Sequence, residues 1–164
     1  MRRTLIVGIG NTLRSDDGAG VWAAARIAEG VPEAQVISLR ELTPDLAERL
    51  EGKDLVLFLD ASARASRVQV TPLDGGQGTG LADTHRLTPE GILRLANILY
   101  GWEGKAELVE IPAFDCQLGE KTSSETLEMI DQAVHLVSAI LRANCPAEDA
   151  ASQSPSVHPE HLAG

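Results

Sequence analysis

Thr4-Leu5-Ile6-Val7-Gly8-Ile9-Gly10-Asn11-Thr12-Leu13-Arg14-Ser15-Asp16-Asp17-Gly18-Ala19-Gly20 is the stretch that decides the fold. Thr4 to Ile9 is a continuous apolar run rich in β-branched side chains, the composition of a parallel strand covered on both faces. A polar loop punctuated by glycines follows. Beyond it Val21, Trp22, Ala25, Ile27 and Ala28 recur at near-helical spacing until Gly30 supplies a stop.

Working outward, Gln35 to Leu39 reads as a second strand, and Thr43-Pro44 offers an N-cap and a first-turn proline for a short helix through Leu50. Leu55 to Leu59, the second unbroken apolar run, predicts a central third strand that stops at Asp60. Arg67 to Thr71 reads as a fourth strand. The connection 61–66 is too short for a crossover helix, so this strand is expected antiparallel to the third. Thr88-Pro89 repeats the capping device ahead of a helix to about Tyr100, and Glu107 to Pro112 makes a fifth strand. Thr122 with Glu125 forms a capping box for a final helix striped by Leu127, Ile130, Val134, Val137 and Leu141. The alternation predicts an α/β fold: a three-layer α/β/α sandwich on a mixed, mostly parallel five-stranded sheet with strand 4 antiparallel.

A chain of 164 residues fits one domain, expected over 1–145, and the Ala, Ser, Pro and Glu composition of 146–164 predicts a disordered tail. A net charge of -10 opposes nucleic acid as a partner. The opening apolar run is too short for a membrane span or signal-peptide core, so neither membrane nor export is expected. Cys116 and Cys145 lack a Cys-x-x-Cys spacing and read as free thiols in a reducing cytoplasm.

In an open α/β sheet, ligands sit beyond the carboxyl ends of the parallel strands. Asp16 and Asp17 follow the first strand, Asp60 follows the third, and His85 lies on the glycine-rich loop 73–86 that returns to that end. Two carboxylates and an imidazole suit a divalent ion such as Ni²⁺, Zn²⁺ or Co²⁺. Each also has a plainer reading: Asp16 or Asp17 as a cap on the first helix, Asp60 as a polar strand terminator, His85 as a solvated loop residue. The Gly8-Ile9-Gly10 pair is a poor dinucleotide fingerprint, since Leu13 replaces the third glycine and two acids would repel a pyrophosphate. Ser62 lacks a G-x-S-x-G elbow and Cys116 has no histidine close in sequence, so both read as structural.

Gly8, Gly10, Asn11, Asp16, Asp17 and Gly20, with Asp60 after the third strand and His85 ahead of Thr88-Pro89, resemble the nickel-iron hydrogenase maturation proteases over roughly 3–142. The resemblance implies an endopeptidase that removes the C-terminal extension of the hydrogenase large-subunit precursor after nickel insertion. It also implies that Asp17, Asp60 and His85 are at once the metal contacts and the catalytic set. The nickel would be presented by the substrate's nickel-iron centre, with other divalent metals able to substitute. The expected partner is the precursor, met by a protein that is a monomer when free. A non-cleaving chaperone of the metal centre is the alternative. One departure stands out: where several branches carry Asp-Gly-Gly-Thr after the second strand, this chain has Arg40-Glu41-Leu42-Thr43, closer to branches reading Gln-Leu-Thr-Pro-Glu-Leu.

Overall fold

The computed structural model describes residues 3–74 and 87–144. In chain order these form β1 (Thr4–Ile9), a 3-10 turn (Ser15–Gly18), α1 (Ala19–Gly30), β2 (Gln35–Leu39), α2 (Leu46–Arg49) and β3 (Leu55–Ser62). After them come β4 (Gln69–Leu73), α3 (Pro89–Tyr100), β5 (Lys105–Pro112) and α4 (Ser124–Asn144). The strands make one sheet in the order β2-β1-β3-β5-β4, in which β4 alone runs antiparallel, against β5. The expected tail at 146–164 lies outside the described residues.

Strand alternation sorts the core into two layers. On one face Leu5, Val7, Val56 and Phe58 pack with Leu46, Leu50, Ile92 and Leu93 from α2 and α3. On the other, Ile6, Leu57, Leu59, Val109 and Ile111 pack with Ala23, Ala24 and Ile27 of α1 and Ile130, Ala133 and Val137 of α4. Every residue of β1 is buried, as its unbroken apolar run requires. The result is the α/β/α sandwich expected from the sequence.

The elements depart from the expected bounds at four places. Strand β4 begins at Gln69, two residues later than expected, and β5 separates it from β3. Pro72, which has no N–H for a ladder, suits that edge position. The helix expected from Thr43-Pro44 shrinks to one turn, because the carbonyls of Thr43 and Pro44 accept from Leu46 and Ala47 in tight three-residue steps. By contrast Thr88 caps α3 as its sequence promised, its hydroxyl accepting from the Gly91 amide at 3.2 Å. At α4 the cap is Ser123 and not Thr122: the Ser123 hydroxyl accepts from the Thr126 amide at 3.2 Å, while Glu125 takes the Ser124 hydroxyl. Strand β3 also continues through Asp60 to Ser62 instead of ending before it.

Candidate active site

The loop after β1 is shaped by two glycines. Gly10 has φ +148°, a conformation that L side chains rarely adopt, and a Cβ there would lie 2.0 Å from the Asp17 carbonyl oxygen. Gly20 permits the start of α1 to rest on the sheet: a Cβ would fall 2.2 Å from the Leu59 carbonyl oxygen and 2.4 Å from that of Ile9. The 3-10 turn that carries both aspartates is thereby seated against the carboxyl ends of β1 and β3.

Asp16 and Asp17 then take different roles. Asp16 is fully buried, and its carboxylate accepts from the amides of Phe114, Asp115 and Ser123 and the hydroxyls of Ser123 and Thr126, at 2.7–2.9 Å. Burial opposes its ionisation, but the bonds from Ser123, Asp115 and Thr126 outweigh that and hold the pKa at about 2. The proposed cap on α1 is therefore corrected: the residue before α1 is Gly18, without a side-chain cap, and Asp16 sits at the start of α4. Backbone bonds extend this suture. Ser15 donates to the Gly119 carbonyl, Gly119 to that of Leu13, and Asp16 to that of Asp115.

Asp17, half-buried, points its carboxylate back across the loop, where it accepts from the Asn11 amide at 3.1 Å. Its charge acts on Asp60. Burial above all, then the charges of Asp17 and Glu110, raise the Asp60 carboxyl from 3.8 to about 6, against a lowering bond from the Ala61 amide. Asp17 on the turn after β1 and Asp60 near the end of β3 thus share the carboxyl end of the sheet, where the charge of one opposes ionisation of the other. His85 lies outside the described residues. Among the described residues no three His, Cys, Asp or Glu side chains gather into a metal-holding group.

Glu110 is the site neighbour that sequence reading missed. It stands in register with Asp60 across the parallel β3–β5 ladder, so both side chains rise from the same face. A signal was present: Glu110 is a charged residue near the end of a strand whose neighbours Val109 and Ile111 are fully buried. The two candidate nucleophiles remain structural. Ser62 accepts from the Ala65 amide at 3.2 Å, and the Cys116 thiol is pushed up by burial and by Asp17 and Asp16, which keeps it protonated. Arg40 is exposed beyond β2.

No family model matches the chain, and no curated protein matches it by sequence. Solved structures do match. The [NiFe] hydrogenase maturation protease HycI from Thermococcus kodakarensis KOD1 superposes with a TM-score of 0.68 at 26% identity, over 86% of this chain and 93% of that one. HybD from Thermococcus kodakarensis gives 0.63 at 24%, over 84% and 98%, and the hydrogenase maturating endopeptidase HybD from E. coli 0.60 at 19%, over 86% and 93%. The likeness read from the opening loop therefore extends through the fold, which this chain shares with solved [NiFe] hydrogenase maturation proteases.

Proposed function

We propose that this protein is an endopeptidase that removes the C-terminal extension of a [NiFe] hydrogenase large-subunit precursor once nickel has been inserted. The observation that supports the reading is the likeness of the whole fold to the maturation protease HycI, with Asp17 on the turn after β1 and Asp60 near the end of β3, both at the carboxyl end of the sheet. Asp17, Asp60 and His85 are the residues proposed to contact the nickel that the substrate presents. Oxygen and nitrogen donors of this kind suit a borderline divalent ion and leave positions for the substrate's own ligands. Other divalent metals of similar size would substitute.

Hydrolysis adds water to the scissile carbonyl, breaks the C–N bond, and delivers a proton to the departing amine. Asp60, through the carboxylate oxygen left free of the ion, would accept the water's proton and return it to nitrogen. The substrate's ion would orient the chain beside this carboxylate and polarise the carbonyl. A precursor without nickel offers no such anchor, so cutting would follow metal insertion.

The test is to incubate the purified protein with nickel-loaded and nickel-free precursor and follow intact mass. Loss of the C-terminal peptide from the loaded form alone is the expected result. Equal cutting of both, or of neither, would sink the proposal. Stable complex formation without any mass change would favour a non-cleaving chaperone instead.

A further inference from the structure

Large apolar side chains stand in water beside Asp17. Leu13 is 56% exposed, Phe114 59% and Leu118 85%, and all three lie on the two loops that the Asp16 carboxylate holds together. The loops are also stitched directly by a parallel bridge. The Gly119 amide donates to the Leu13 carbonyl at 3.0 Å, and the Ser15 amide donates to the Gly119 carbonyl at 2.8 Å. Leu13 and Leu118 therefore sit on adjacent backbones. Single exposed leucines are ordinary, but neighbouring ones on loops fixed in place mark a contact with another molecule.

The apolar surface continues into a concave one. Beyond the bridge, Lys121 and Thr122 run along an open cleft of about 530 Å³ between α1 and the start of α4, whose large apolar walls are the exposed Trp22 and Leu127. This cleft reaches the turn that carries Asp17: a Cβ placed on Gly18, the next residue, would lie 3.1 Å from Trp22 Nε1 and 3.0 Å from Thr12 Cα. What covers the surface follows from that position. A chain cut at Asp17 must pass over its turn, and Leu13, Leu118 and Trp22 border the way. Because the loops are already sutured, little ordering is lost when they are covered.

Resting on the reading proposed above, we infer that Leu13, Phe114, Leu118 and the Trp22 cleft form the docking surface for the precursor, which presents large apolar side chains beside its cleavage site. The surface holds the protein part of the substrate and adds to whatever grip the ion supplies.

The experiment uses the full-length chain and nickel-loaded precursor. Leu13→Ser with Leu118→Ser should raise the KM for processing about tenfold, as truncating interface anchors does, while kcat and Tm stay level. Ile98→Ser is the control: Ile98 is 67% exposed near the end of α3, which leads to the start of β5 at the opposite end of the sheet, and KM should not change. The chain holds two tryptophans, so fluorotryptophan labelling gives one signal from Trp22 and one from the buried Trp102. Unlabelled precursor should shift the first and leave the second. A double variant with KM within twofold of the parent overturns the inference and leaves the function standing, as does a Trp22 signal that does not move or an equal KM rise in Ile98→Ser. So does a dimer of the free chain that the double variant dissolves with KM unchanged, which would assign the face to a second copy. A parent that does not process loaded precursor counts against the function itself, yet a precursor-dependent shift at Trp22 alone would still uphold the docking surface.

Discussion

Ser123 gives Asp16 both its backbone amide and its hydroxyl, each at 2.7 Å, across 107 residues of chain. This relationship joins the loop after β1, and with it the residue beside Asp17, to the segment that leads from β5 into α4. The hydroxyl serves twice, since its oxygen also accepts from the Thr126 amide at the first turn of α4. A carboxylate at that turn meets unpaired amides and the positive end of the helix, which is why an ion is tolerated at full burial.

Asp16→Ala should therefore be strongly destabilising. It strands the partly buried amides of Phe114, Asp115 and Ser123, while the Thr126 hydroxyl keeps the Pro112 carbonyl as an acceptor. Unpaired buried donors cost roughly 1–3 kcal/mol each, though relaxation and water entry offset part of the sum, so a loss of about 3 kcal/mol is expected. Urea unfolding at neutral pH measures it. A change under about 1 kcal/mol would show that the suture carries little of the fold's stability.

The two titrating carboxyls give stability opposite pH dependences. Asp16 has a folded pKa of about 2 against an ordinary 3.8, so the stability it contributes is present above 3.8 and is lost as pH falls through 2. Asp60 has a folded pKa raised to about 6, so its contribution is complete below 3.8 and is lost as pH rises through 6. Asp60→Asn should abolish the second loss, flattening the stability curve between pH 4 and 6 and leaving the variant more stable than the parent at pH 7. A parent curve already flat in that window would contradict the environment described for Asp60.

Gly20→Ala should disrupt the seat of α1. The new methyl would meet the carbonyl oxygens of Leu59 and Ile9, at 2.2 and 2.4 Å, and neither is the free end of a flexible side chain. The helix must lift off the sheet, at a cost of about 1–3 kcal/mol, and the aspartates on the preceding turn lift with it. Chemical denaturation and precursor processing should fall together. Normal processing in a folded Gly20→Ala protein would mean that the turn need not sit against the sheet.

Much of this architecture was legible because the decisive signals were local. The apolar runs at Leu5–Ile9 and Leu55–Leu59 leave no alternative to buried strands, and Thr88-Pro89 caps α3 as read. What escaped were relations between distant segments. Asp16 looked like a cap for the helix that follows it, because its true partners at 114–126 are close only after folding. Glu110 showed in the sequence only as a charge within an apolar strand; its place beside Asp60 comes from β3–β5 register, which depends on β5 inserting between β3 and β4. The start of α2, and not its end, went astray, because the Thr43 and Pro44 carbonyls close tight three-residue turns ahead of Leu46.

The sharpest test of the site is to compare Asp17→Asn with Asp17→Ala. Asparagine keeps a side-chain oxygen able to accept from the Asn11 amide, so the loop closure at 3.1 Å survives while the charge is lost. Alanine removes both, and the missing bond should cost about 1 kcal/mol. If Asp17 acts through its charge, both variants should fail to process nickel-loaded precursor, although Asn should melt close to the parent. In both, the Asp60 carboxyl should also titrate lower than about 6, because one of the charges opposing its ionisation is gone. Carboxyl-carbon NMR of Asp60 reads that shift directly. Processing retained by Asn but lost by Ala would reassign Asp17 to loop closure, with the charge irrelevant to cutting.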